Sequence, residues 1–233
     1  HISVAGACAT ATHGSGDRNG NLATAVTAIE FVAGNGELVS LARERDGEAF
    51  LGAIVSLGAL GIVTSMTLAI EPTFTVQQEA YVDLPMVQLE ANFDAIEANA
   101  YSVSLFTDWQ RDVVNEVWLK RRLPDGVPQP VAASFFGAGR AARELHPIAA
   151  LSAENCTAQQ GIPGPWHERL PHFRMEFTPS SGEELQTEYF VPRQHALAAM
   201  RAVAALREQL APVLMISEVR TIAADALWLS PCY

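Results

Sequence analysis

The sequence has 233 residues, 49% hydrophobic and 18% charged, the balance of one or two globular domains with a sizeable core. With 26 acidic against 15 basic residues it carries a formal charge of −11, which argues against non-specific binding to nucleic acid and against docking on an anionic membrane surface. Its three cysteines, Cys8, Cys156 and Cys232, are far apart, and no C-x-x-C or His/Cys cluster is present, so neither a disulfide framework nor a zinc site is expected; a reducing cytoplasm fits best.

In chain order, Ser3–Gly16 comes first: small residues, then hydroxyls, then a turn at Gly14-Ser15-Gly16. Small residues let a ligand approach main chain, and glycines permit the positive φ that turns N–H groups toward one point. Such a concavity suits phosphate or pyrophosphate; the alternative is a small-residue turn in a tightly packed sheet. The spacing is not G-x-G-x-x-G, and no helix pattern follows at once, which disfavours a nicotinamide-type fold. Residues 22–32 read as a strand, Gly34-Asn35-Gly36 as a hairpin turn and Leu38–Leu41 as the returning strand. Asp46 can cap a helix through Phe50, Ile54 and Leu57, and Ile62–Leu68 is a strand closed by Glu71-Pro72.

Beyond Pro72 glycines thin out and aromatic strands are predicted at Val103–Trp109, Glu116–Arg121, Phe173–Thr178, Leu185–Val191 and Leu214–Ile222. Helices are predicted at Gln88–Ala100 and Arg193–Leu210. Residues 123–170 read as loop-rich, with a short helix around Ala138–Leu145. Lys120-Arg121-Arg122 reads as a solvated strand end, the four tryptophans as core, and His167 and His172 as structural histidines or a pocket rim. No G-x-S-x-G elbow exists, which disfavours a serine hydrolase. The fold class expected is α+β, with one unit over residues 1–72 and a second over 73–233.

Six segments carry a resemblance. Ser3–Gly16 with Leu57–Thr64 resembles two parts of the FAD-binding domain of vanillyl-alcohol-oxidase-type (PCMH-type) flavoproteins. Trp118–Arg122, Pro163–Phe173, Glu176–Pro179 and Glu218-Val219-Arg220 resemble the alditol (xylitol) oxidases, relatives of the sugar-1,4-lactone oxidases. The resemblance implies a second part of an FAD domain over 1–72 and a substrate domain with an antiparallel sheet over 73–233. It implies oxidation of a terminal carbinol of a polyol, with O2 as acceptor, in a monomeric cytoplasmic enzyme. It also implies a longer protein, in which the histidine joined covalently to FAD and a C-terminal pocket segment lie outside this chain, so that the piece alone would be inactive.

The resemblance places Ser3, Cys8, Ala11, Thr12, His13, Gly14, Ser15, Gly16, Ile62 and Val63 against FAD, although Ala11 stands where the family tends to have glycine. It places Ser3, Gln186, Glu218 and Arg220 against the polyol; no metal is expected. The residues themselves add a reason: Glu218 and Arg220 are two apart on a predicted strand and share a face with Ile216 and Ile222. An acid and a guanidinium on a partly apolar face must pair or bind a ligand. Arg220 is expected to stabilise a developing alkoxide and Glu218 to hold hydroxyls. The rivals are an inert cross-strand ion pair, a lactone oxidase or dehydrogenase of the same fold, and a non-catalytic binding module.

Overall fold

The computed structural model describes residues 2–178 and 184–233; Pro179, the last residue of one motif above, lies outside them. The chain forms two compact units. The first comprises the residues up to Gly14, Arg18–Pro72 and Ile222–Tyr233; the second comprises Ser15–Asp17 and Thr73–Thr221. The second unit thus stops at Thr221, and the closing segment falls with the first.

In the first unit a short helix, α1 (Val4–Ala9), stands where the sequence suggested only small residues leading to a turn. Ser3 caps it, its Oγ accepting the Gly6 N–H at 3.1 Å. After a 3-10 turn over Leu22–Ala25 come β1 (Val26–Ala33), β2 (Leu38–Ala42), α2 (Arg43–Ile54) and β3 (Gly61–Leu68), and the strands form an antiparallel sheet in the order β2-β1-β3. Asp46 lies inside α2 rather than capping it, and its carboxylate accepts the Ala42 N–H at 2.7 Å. Val26, Ile29 and Phe31 of β1 pack with Phe50, Ile54, Val55 and Leu227. Gly61 is obligatory at the entry to β3: its φ is +150°, and a Cβ there would meet the Val32 carbonyl oxygen at 2.1 Å.

The second unit contains β4 (Thr75–Pro85), α3 (Met86–Glu97), β5 (Ser102–Thr107), β6 (Val113–Leu123), β7 (Ser134–Phe135), β8 (Ala138–Arg140), β9 (Gly164–Pro165), α4 (Ala196–Ala204), α5 (Arg207–Leu210) and β10 (Ser217–Val219). The sheet runs β10-β5-β6-β4-β8-β7, with β9 also paired to β4, and every pairing is antiparallel. Both units combine helices with antiparallel sheet, an α+β chain.

Several expectations are corrected. The helix around Ala138–Leu145 is a strand, β8, paired to β4 at Tyr81 and Val82. Phe173–Thr178 holds only an isolated bridge from Phe173 to Cys156, and Leu185–Val191 is not a strand. The exposure of Leu185 (98%) and Tyr189 (85%) shows why: their apolar side chains find no sheet to cover. The helix from Arg193 divides into a 3-10 turn, α4 and α5. β4 escaped notice because it buries Gln77, Gln78 and Glu79. Each is paid for by a partner: Gln77 exchanges two hydrogen bonds with the Gln129 backbone, Gln78 donates to the Thr157 carbonyl, and Glu79 pairs with Arg121.

The sheet has two unlike faces. On one, Tyr81, Leu84, Val103, Leu105, Val117 and Leu119 pack with Leu89, Phe93 and Ile96 of α3 and Met200 of α4. On the other, Ala80, Phe106 and Trp118 pack with Ala141, Cys156 and Phe173 from the long loop region. Period two along β6 puts Glu116 and Lys120 on the side of Trp118, toward the loops.

Candidate functional site

Glu218 lies on β10 directly opposite Phe106, so it faces the loop side of the sheet. Arg220 follows just beyond the strand. The two side chains approach at 3.8 Å between Arg220 Nη1 and Glu218 Oε2, and each is about a quarter exposed. Arg220 Nη2 donates to Glu188 Oε1 at 2.7 Å. The predicted pair therefore exists, with Glu188 as a second acid on the guanidinium. Gln186, the other residue expected at the substrate, is exposed two residues away on a segment that is not a strand.

Behind Glu218 the chain of contacts continues inward. His172 Nε2 lies 3.1 Å from Glu218 Oε1 and His172 Nδ1 lies 3.0 Å from Lys120 Nζ. Lys120 also donates to the Leu170 carbonyl and is only 1% exposed. The imidazole is fixed by aromatic edges, with its ring centre 5.5 Å from Phe106 and 5.2 Å from Trp118. Lys120 donating to Nδ1 leaves the proton of a neutral imidazole on Nε2, where it donates to Glu218. Burial pushes Lys120 down to about 7, against the opposing pull of Glu218. Burial and the neighbouring Lys120 also lower His172. Burial alone would raise Glu218, but the His172 hydrogen bond and the nearby positive charge, including Arg220, outweigh it and hold the carboxylate ionised.

The reading of Lys120-Arg121-Arg122 as a solvated strand end is thus overturned. Lys120 is buried, Arg121 bonds Glu79 and Asn99, and the Arg122 guanidinium sits 4.1 Å from the centre of the Phe74 ring. The signal was the alternation Glu116, Trp118, Lys120: on a central strand, a lysine in line with a buried tryptophan faces the same interior. His172 is a member of the cluster, whereas His167 lies in a 3-10 turn beside Trp166.

The residues expected at FAD divide into two groups. Cys8 and Ala11 are core residues of the first unit. Their side chains point into packing, and burial raises the Cys8 thiol. The N–H groups of Ala11 and Thr12 donate to Cys8 and Ala7 carbonyls, which removes them from any anion cradle. Ser3, Thr12 and Gly14 are exposed and His13 half-buried, with His13 Nδ1 2.9 Å from the Gly14 carbonyl. A Cβ at Gly14 would meet nothing within 4 Å, which fits close approach of a ligand. In the second unit, the Ser15 hydroxyl is 2.6 Å from that of Ser102, and Gly16 N–H donates to the Thr221 carbonyl. Ile62, 76% exposed, and Val63 lie on the edge strand β3, whose free edge can offer backbone groups to a flavin. Ser3, Thr12, His13, Gly14, Ile62 and Val63 are the exposed or half-buried members of the expected set in the first unit.

A separate cavity of about 550 Å³ in the second unit is lined by Met86, Trp109, Met200 and Arg207 among others; it shares no residue with the Glu218 cluster. Among the described residues, no group of three or more acidic, cysteine or histidine side chains is placed to hold a metal ion, and no helix is long and apolar enough to cross a membrane.

Over its whole length the chain is 53% identical to alditol oxidase from Streptomyces sp. (strain IKD472 / FERM P-14339), of which it covers 54%. The chain is thus similar to an alditol oxidase along its whole length. L-gulono-1,4-lactone dehydrogenase of Mycobacterium tuberculosis (strain ATCC 25618 / H37Rv) is 26% identical over 99% of the chain and 55% of that protein. A putative D-arabinono-1,4-lactone oxidase of Neurospora crassa is 38% identical over 35% of the chain and 15% of its own length. The chain thus spans about half the length of the curated relatives that it matches end to end. No family model matches it. Cholesterol oxidase from Brevibacterium sterolicum overlaps 53% of the chain and 26% of its own at a TM-score of 0.43 and 20% identity, a likeness too partial to bear on function.

Proposed function

We propose that this chain is part of an FAD-dependent oxidase of polyols such as xylitol and sorbitol, in which Glu218 and Arg220 hold the substrate. The observation that carries the reading is the accessible Glu218–Arg220 pair, backed by a half-buried histidine, in a chain 53% identical to an alditol oxidase. FAD, when bound, would supply the hydride acceptor, with O2 as the final electron acceptor. Ser3, Thr12, His13, Gly14, Ile62 and Val63 are the residues proposed to hold it. Arg220 orients a substrate hydroxyl and stabilises negative charge as its proton leaves. Glu218, kept ionised and oriented by His172, accepts hydrogen bonds from the hydroxyls. Gln186 and Ser3 are proposed as further polyol contacts, and covalent attachment of FAD, a monomeric state and a cytoplasmic location belong to the same reading.

The lactone enzymes among the relatives favour a second reading, oxidation of a sugar-1,4-lactone. Single-turnover flavin reduction in the full-length protein distinguishes the two: alditols reduce the flavin under the first, 1,4-lactones under the second. Arg220→Ala is expected to slow reduction by roughly 10²–10³-fold, about 2.7–4 kcal/mol, the cost of losing a donor to developing charge. Arg220→Lys does not restore it, because an ammonium lacks the planar fork. Wild-type reduction by a folded Arg220→Ala protein makes the pair a structural ion pair and the assignment wrong.

A further inference from the structure

We propose that Lys120 and His172 form a partly buried proton relay ending at Glu218, which takes up the proton released from a substrate hydroxyl. The proposal deepens the reading of Glu218 as a substrate residue and rests on it. Its geometry is continuous: Glu218 Oε1 to His172 Nε2 at 3.1 Å, then His172 Nδ1 to Lys120 Nζ at 3.0 Å. The outer end is accessible, with Glu218 about a quarter exposed, and the inner end is sealed, with Lys120 1% exposed.

A lysine placed here for structure alone is hard to rationalise. Burying an ammonium costs several kcal/mol unless a carboxylate pairs with it, and the charged group nearest in this line is separated from Lys120 by the imidazole. The imidazole cannot be a cation beside a charged lysine. The three groups therefore share protons rather than hold fixed charges. The shift balances atom by atom. With Glu218 as the acid, His172 protonated on Nδ1 and Lys120 as the amine, the Glu218 O–H bond breaks and an N–H bond forms at Nε2. The Nδ1–H bond breaks and one forms at Nζ. The result is a carboxylate, the other neutral imidazole tautomer and an ammonium. No redox change occurs and the carboxylate is restored; between turnovers the proton held on Lys120 returns by the reverse shift to Glu218 and leaves to solvent from its exposed side, which readies the relay for the next hydroxyl.

Lys120 is suited to be the acceptor because its burial pushes it down to about 7, so amine and ammonium interconvert near neutrality. The charged groups that act on the relay are Glu218 and Arg220 from the β10 segment, with Glu188 on the outer side of Arg220. Arg220 lowers His172 and so opposes a doubly protonated imidazole. Lys120 acts through His172 and Glu218 and is a positioning residue in the strict sense, distant from the reacting atoms.

The test uses the full-length flavoprotein with Lys120→Met, which keeps the side-chain length, and Lys120→Arg, which keeps a charge that cannot be released. Two readouts are taken. Nitrogen-15 NMR of labelled histidine follows the His172 tautomer and titration. In the wild type, His172 switches between neutral tautomers as Lys120 titrates; in both variants the switch is lost, and in Lys120→Met the imidazole titrates at higher pH than in the wild type, because the lysine charge that lowers it is gone while burial remains. Single-turnover flavin reduction is followed against pH with the alditol or lactone that reduces the wild type. The wild type loses rate on the acid side as Lys120 becomes charged, and both variants lose that limb and fall by at least about tenfold where the wild type is fastest. A folded variant with a wild-type His172 titration and pH–rate profile overturns the relay. If no alditol or lactone reduces the wild-type flavin, the functional reading fails by itself, and the His172 signal still decides whether the three groups share a proton.

Discussion

The two faces of the second unit's sheet obey different rules. Toward α3 and α4 the face is a continuous apolar layer, and its residues follow the period of two that strands impose. Toward the loops the same strands carry Gln78, Ser104, Glu116 and Lys120, all buried. Glu116 accepts the Trp118 indole N–H at 2.8 Å, and burial raises its carboxyl to about 7. A face that only held the fold together would gain from apolar residues at these positions, since a buried polar group at best breaks even against a well-packed apolar one. The difference teaches that the helix side holds the fold and the loop side keeps groups whose protonation can change.

The largest effect expected from this contrast falls on the helix face. Leu119 is fully buried there, and Leu119→Ala should cost about 2–5 kcal/mol, read as a lower denaturation midpoint at unchanged slope. A loss below about 1 kcal/mol would mean that the apolar layer is not what holds the sheet.

A second test concerns the acid at the end of α3. Thr221 Oγ1 lies 2.6 Å from Asp17 Oδ1 and 3.0 Å from Glu97 Oε2. A hydroxyl has one proton to give. Asp17, paired with Arg193 at 2.6 Å, is the nearer acceptor, so the hydroxyl supports the Glu97 carboxylate only weakly. Burial, with Asp17 and Glu218 adding to it, raises its carboxyl to about 8 against the opposing Thr221 hydrogen bond and Arg193 charge. A raised carboxyl gives the folded state more bound protons than the unfolded state. Stability is then fully present below the unfolded value of 4.5 and falls as pH rises to about 8. The slope is about 1.4 kcal/mol per pH unit at most, and Glu97→Gln should flatten it. Parallel stability–pH curves for the two proteins would show that Glu97 is ionised in the fold.

The third test sets the faces against each other directly. Lys120→Met should change stability by less than about 1 kcal/mol or raise it, because it replaces a buried cation with an apolar side chain of similar length. A loss as large as that of Leu119→Ala would make Lys120 a structural residue and erase the distinction between the faces.

The helix face was the legible one. Strands β5 and β6 were expected nearly where they lie, because Val103, Leu105, Val117 and Leu119 advertise a sheet. Glu218 and Arg220 were legible as a pair from spacing and resemblance together. β4 was hidden by three buried polar residues in a row whose partners, Gln129, Thr157 and Arg121, are far along the chain. Lys120 was misread for the same reason: a charge is written as solvated until the distant His172 is seen beside it. Around Leu185–Val191 the opposite error occurred, an apolar pattern with no neighbouring strand to pair it.

The first unit offers the finest test, since its unusual position is in the backbone. Ala11 has φ of +51°, in the left-handed region, and is 1% exposed. An L-residue there bears about 1–2 kcal/mol of strain. Ala11→Gly relieves it, but the more flexible unfolded chain costs about 0.4–1 kcal/mol, and the lost buried methyl costs about 0.8 kcal/mol. These terms nearly cancel, so the change in stability should stay within about 1 kcal/mol of zero. Ala11→Val adds a branched side chain to the same φ and to a packed core, and should destabilise by about 1–3 kcal/mol. Measured together by denaturant unfolding, the two substitutions separate backbone from packing. If valine is tolerated as well as glycine, the left-handed turn is not constrained by its surroundings, and a glycine-like geometry is not what the segment before Thr12 requires.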